Sequence, residues 1–280
     1  MIFINFFKFQ MMKLRDWIDI NKLDWNYLSA NTNAINILKE NPEKINWFYL
    51  SLNPNAIEIL KDNLDKINWD LLSANEKAIE LLKNNLDKIN WYYFSLNTNA
   101  ISILRENLDK INWNYLCLNS NAMKILKENL DKINWSQLSK NINAIELLRD
   151  NKDKINWNNL SANENAIKIL KDNKDKIIWS MLSKNPNAIE ILKENLDKIN
   201  WYQLTKNINA IDLLKDNQDK INWKLLSSNP SIFTYDYNYM KNSNIDLKEE
   251  LIAKALHPKR IFRLIEKYGE DEIYDIYFED

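Results

Sequence analysis

Residues 47–68 read W-F-Y-L-S-L-N-P-N-A-I-E-I-L-K-D-N-L-D-K-I-N, and the next tryptophan follows at once as Trp69. The same 22-residue spacing places Trp25, Trp47, Trp69, Trp91, Trp113, Trp135, Trp157, Trp179, Trp201 and Trp223, with only Trp17 off the lattice. A fixed period in this range marks a repeat array, in which each unit buries its apolar face against its neighbours.

Two asparagines recur in every unit. One series runs from Asn31 and Asn53 to Asn207 and Asn229, the other from Asn41 and Asn63 to Asn195 and Asn217. Asparagine is a preferred helix N-cap, because its side-chain oxygen accepts from free amides of the first turn. Pro42, Pro54, Pro186 and Pro230 each directly follow one of these asparagines, at the first helical position that proline suits. Ala56, Ile57, Ile59 and Leu60 fit one helical face after the first cap; Ile67, Trp69 and Leu72 mark the helix after the second. The spacing therefore predicts an all-α fold: an α-solenoid of about ten 22-residue, two-helix repeats. Such helices, of roughly nine residues each, hold only by stacking. Layers at ordinary helix spacing give an open stack on the order of 90 Å long. The tryptophan is expected to be the buried wedge between units.

Three other readings fit less well. A leucine-rich repeat needs an apolar residue where Asn36, Glu58, Glu80, Ser102 and Lys124 stand. A continuous amphipathic repeat lying on lipid, or a right-handed coiled coil of 11-residue period, would not be capped twice per unit.

Open arrays need polar caps. Residues 1–24 are expected to form the N-terminal cap, with Asp19 in the place of the second asparagine. Residues 25–230 hold the repeats, the last one degenerate. Residues 231–280 form a C-terminal helical cap and acidic tail, with helices over Lys248–Leu256 and Pro258–Tyr268. The apolar stretch Met1–Phe9 is too short to span a bilayer and lacks the flanks of a signal peptide. The single cysteine, Cys117, excludes a disulfide framework and fits a reducing compartment. An intracellular, reducing location rather than a secreted one is the expectation.

Nothing points to a reaction. The one glycine, Gly269, excludes a glycine-rich phosphate loop, and one cysteine with one histidine is too few for a zinc site. Cys117 stands where other units carry Ser29, Ser51, Ser73 or Ser95, and His257 stands at a helix cap. No catalytic, cofactor-binding or metal-binding residue is assigned. A net charge of −1 offers no field for nucleic acid or anionic lipid.

The two residues after each tryptophan vary freely, and tyrosine stands second after it at Tyr27, Tyr49, Tyr93 and Tyr115. Tyrosine is enriched at interfaces. Phe48, Tyr49, Tyr92, Tyr93 and Tyr115 are therefore the candidate partner-binding residues. The expected function is a non-enzymatic scaffold for protein–protein interaction with an unidentified protein partner. Single-stranded RNA binding, one base per repeat, is the alternative that the paired variable positions allow.

The N-P-N-A-I-E-I-L-K stretch beginning at Asn185, the D-K-I-N-W-x-x-L-S run beginning at Asp65 and the segment Ala255-Leu256-His257-Pro258-Lys259-Arg260 resemble a family of Asn/Trp-rich 22-residue repeat proteins of giant DNA viruses (Mimivirus-like). The likeness runs from about Leu14 to Tyr268. It implies a viral source and a helical repeat fold, and it carries over no catalytic or binding residue.

Overall fold

The computed structural model describes residues 12–243 and 258–268. Among the described residues the fold is all-α, apart from two three-residue strands, β1 (Met12–Leu14) and β2 (Phe233–Tyr235), which pair with each other. Leu14–Thr234 form one compact unit; the described residues 12–13, 235–243 and 258–268 belong to another. Within the latter lie the helices Tyr237–Ser243 and Pro258–Tyr268, the second over the span expected from Pro258. Met1–Phe9, Lys248–Leu256, His257, Gly269 and the acidic tail lie outside the described residues.

The 22-residue repeats are built of two to four short helical pieces rather than two helices of nine residues. In the repeat quoted above these are Trp47–Leu50, Ile57–Lys61 and a 3-10 turn at Leu64–Lys66. The two asparagine series also divide their roles differently from expectation. In the first, Asn75 accepts from the Lys77 N–H at 3.1 Å and so caps the following turn. In the second, Asn63 makes no N-cap bond; its amide donates back to the Ile59 carbonyl at 2.9 Å. With φ −141° and ψ 53°, Asn63 leaves the helical region and closes the preceding helix, so this series caps C-termini. The N-cap of the tryptophan helix is instead the residue just before Trp. Asn68, for example, accepts from the Leu71 N–H at 2.9 Å. Asp24 does the same in the first repeat, while Ile178 supplies no such bond.

The core is made of leucine, alanine and isoleucine, not tryptophan. Leu50, Ala56 and Leu60 have no exposed surface, and their equivalents repeat this, with Phe94 at one leucine position. Full burial of each leucine contributes about 1.5–3 kcal/mol. All ten lattice tryptophans are only half-buried. Tryptophan opens its helix, so the leucine three residues on faces inward and the indole stays at the boundary between repeats. There a lysine from the next turn covers eight of the ten, among them Lys44 over Trp25 at 4.5 Å, Lys66 over Trp47 at 4.6 Å and Lys220 over Trp201 at 4.3 Å. The wedge expectation is therefore corrected to a cation–π lid.

Neighbouring repeats are joined by a polar ladder in the interior. Asn75, 3% exposed, donates its amide to the carbonyls of Ser51 and Asn53, both at 3.1 Å. Ser51 Oγ donates to the Trp47 carbonyl at 2.8 Å and accepts the Asn68 N–H at 3.0 Å. No buried side-chain nitrogen or oxygen among the described residues lacks a partner, as a buried network must achieve to be stabilising.

The same bonds join the first repeat to the last. Asn31 donates to the carbonyls of Ser227 and Asn229, at 2.9 and 3.0 Å. Asp24 N–H donates to Ser227 Oγ at 2.8 Å, and Asn33 to the Pro230 carbonyl at 3.0 Å. Lys22 covers Trp223 at 4.8 Å, as Lys44 covers Trp25. The 3-10 turn Ile20–Lys22, capped by Asp19, thus supplies the piece that follows Trp223–Leu226 in the order of the ladder. Arg15 adds two bonds, N–H to the Ile232 carbonyl and Nε to the Ser231 carbonyl, at 2.9 and 2.8 Å. The expectation of an open stack with an N-terminal cap at 1–24 is corrected here. Residues 15–24 pack on the repeat that begins at Trp223, and Asn31 and Asn229, at the two ends of the asparagine ladder, are both buried.

Candidate partner-binding surface

The tryptophan helices carry the variable positions. The residue directly after Trp points outward, and Phe48, Tyr92 and Tyr202 are 50%, 48% and 52% exposed there. The second residue after Trp lies between adjacent helices, so Tyr49, Tyr93 and Tyr115 are half-buried and Leu71 is buried. The structure gathers the five candidates into two clusters. Tyr49 stacks on Tyr27 with ring centroids 5.4 Å apart and meets Phe48 edge-on at 5.3 Å. Tyr115 stacks on Tyr93 at 6.0 Å and takes Tyr92 edge-on at 4.2 Å. Between the clusters stand Asp70, which accepts from the Asn90 amide at 2.8 Å, and Leu71.

Because the ladder closes, this row continues past its apparent start. Buried Leu225 occupies the place before Tyr27, and Lys224 lies 5.3 Å over the Tyr27 ring and 3.9 Å from Asp24. Leu225, Tyr27, Tyr49, Leu71, Tyr93 and Tyr115 form one apolar arc. Gln137, Asn159, Met181 and Gln203 fill the other places. Neighbouring rings lie closer than ordinary helix spacing, so Tyr49 to Tyr115 spans roughly 20 Å, not the 30–40 Å an open stack would give.

The Tyr115 hydroxyl is pushed up to about 12 by its hydrogen bond to Tyr92 first, then by desolvation and the nearby phenols of Tyr92 and Tyr93. The Tyr115 phenol is thus held in its neutral form, and the cluster presents aromatic area with hydroxyl groups.

Two apolar features were missed from the sequence. Leu52, one helical turn after Phe48 and 37% exposed, joins Pro54, Ala74 and Leu96 in a groove of about 250 Å³. Leu64, Leu86, Leu108, Leu130 and Leu196 are 41–63% exposed on the turns that precede the next tryptophan helix. The signal was available: the equivalent places hold Pro42, Lys152, Lys174 and Gln218, a tolerance that a core position does not show. Cys117 sits without exposure at a serine place, where burial raises its thiol pKa. Among the described residues no group of three His, Cys, Asp or Glu is arranged to hold a metal ion, and no helix is long and apolar enough to cross a membrane. In comparison with known proteins, no family model, no curated protein and no solved structure matches the chain.

Proposed function

We propose that the chain is a non-enzymatic scaffold, a closed α-solenoid of ten repeats that captures a protein partner through the aromatic arc on its tryptophan helices. The observation that carries this reading is the exposure of Phe48 and Tyr92, near half of each side chain, at positions where other repeats hold Asp70, Asn114 or Ser136. Packing does not demand an aromatic residue there, and interface energy concentrates in a few such anchors. The half-buried Tyr49, Tyr93 and Tyr115 hold these two in place and extend the apolar area. The resemblance to giant-virus repeat proteins favours a virion component or a binder of a host factor.

The test is affinity capture from the source cells, infected ones on the viral reading, comparing the natural chain with Phe48→Ser/Tyr92→Ser. Both changes put a small polar residue on an exposed position, so the double variant is expected to melt as the natural chain does. Loss of one stoichiometric protein partner supports the proposal. Unchanged capture moves the contact elsewhere, and capture of RNA with a steep salt dependence favours the nucleic-acid reading.

A further inference from the structure

The repeats depart from one another in charge at a cleft of about 460 Å³ lined by Arg149, Lys152, Trp157, Lys168, Asp172 and Lys176. Four cations face one carboxylate in a protein whose overall charge is −1. The equivalent cleft two repeats earlier shows what is unusual here. There Leu108 stands in the place of Lys152, and Arg105 is held by Glu128 at 3.8 Å. At the place of Lys168, four repeats carry an acid of the same type: Glu58, Glu80, Glu146 and Glu190. Only this cleft holds lysine at both variable places.

The cations are not neutralised locally. Arg149, Lys152 and Lys168 make no ion pair or side-chain hydrogen bond among the described residues, whereas Arg105 does. Lys176 lies 4.8 Å over the Trp157 ring, which fixes the ammonium at the cleft wall without cancelling its charge. A concave site in which four cations outnumber one carboxylate focuses a positive field. Buried Ile169 and half-buried Ile155 and Trp157 make the cleft floor apolar, which strengthens charge-assisted hydrogen bonds made above it.

We infer that this cleft binds a compact polyanion carrying two or more phosphates. The Arg149 guanidinium offers paired N–H donors of the geometry that phosphate accepts, and the three ammonium groups meet the remaining oxygens. The inference does not depend on the aromatic arc, which lies on the tryptophan helices rather than in this cleft.

The experiment is titration calorimetry of the full chain with inorganic pyrophosphate and, separately, with a nucleoside diphosphate, at constant ionic strength and against sulfate. Saturable one-to-one binding of pyrophosphate is expected, with sulfate at least tenfold weaker. Lys152→Leu/Lys168→Glu installs the residues that other repeats carry, so the fold is retained, and it is expected to weaken binding at least tenfold. The control Lys124→Glu/Lys127→Leu makes the same charge change away from the cleft and is expected to leave binding within twofold. A nucleoside diphosphate that binds tighter than pyrophosphate assigns a nucleotide as the ligand; equal binding assigns the polyphosphate alone. Absence of pyrophosphate binding, sulfate binding of equal strength, a loss below tenfold in the cleft variant, or an equal loss in the control overturns the inference.

Discussion

Asn119→Ala separates the two asparagine series more sharply than any other change. Asn119 is 1% exposed; its amide donates to the Ser95 and Asn97 carbonyls, at 3.1 and 2.9 Å, and its oxygen accepts the Asn121 N–H at 3.0 Å. The Asn97 carbonyl keeps a second donor, the Ala100 N–H at 3.1 Å. The Ser95 carbonyl and the Asn121 N–H each lose the partner described here. A lost cap costs about 0.5–2 kcal/mol, and a buried carbonyl left unpaired costs about 1–3 kcal/mol, so the variant should lose about 1.5–5 kcal/mol. Asn129, in the other series, donates one bond to the Ile125 carbonyl at 2.9 Å and is half-buried. Asn129→Ala should cost about 0.5–1.5 kcal/mol, the worth of one ordinary hydrogen bond. Urea unfolding followed by tryptophan fluorescence measures both. Equal losses, or a larger loss for Asn129→Ala, would refute the assignment of the ladder to the first series.

Leu138→Ala, at a position without exposure, should cost about 2–5 kcal/mol by cavity formation, and more than Trp135→Ala, whose ring is half-buried; thermal melts of the pair check the order. Acrylamide should quench most of the fluorescence of the natural chain, since every lattice tryptophan reaches solvent. Cys117→Ser should be neutral or stabilising by less than about 1 kcal/mol, the net worth of one hydrogen bond, because serine at this place elsewhere donates to the Trp carbonyl, as Ser139 does to Trp135 at 2.8 Å. Ultraviolet titration should show one phenol ionising near pH 12, and Tyr92→Phe should lower it. The sign follows from linkage: a folded-state pKa above the unfolded value near 10 gives stability that is full below pH 10 and lost as pH rises towards 12.

The period, the helical content and the serine-like place of Cys117 were legible because each is a matter of residue type at a fixed spacing. The roles of the two asparagine series were not. Both read as N-caps, yet only the backbone angles at Asn63 reveal a chain leaving a helix rather than entering one. The true cap, Asn68 before Trp69, was in plain view in the I-N-W run but was passed over for the proline-marked positions. Trp69 misled by size, since a large apolar ring at an unvarying place reads as core, and only the lysine lid on its equivalents shows otherwise. Closure had one trace in the sequence. Asp19-Ile20-Asn21-Lys22-Leu23-Asp24-Trp25 is the end of a repeat with no beginning, and the stretch from Trp223 to Ile232 is a beginning with no end. The two halves make one repeat, but their meeting depends on curvature, which accumulates over ten layers and is written in no single residue. For the candidate surface, the residue types were legible; the split into two clusters, and the contact of Tyr27 with Lys224 across the closure, were not.

Closure of the ladder is tested most directly by the distance between its first and last repeats. Asn26 and Lys224 are both exposed and occupy the same place in repeats that the Asn31 bonds make neighbours. Spin labels on cysteines at these two positions, in a Cys117→Ser background, report that distance by double electron–electron resonance. Closure predicts a single short separation, below roughly 20 Å, set by adjacent helices about 8–10 Å apart and the label arms. A separation near 80–90 Å, the length of an open stack of these layers, would contradict it.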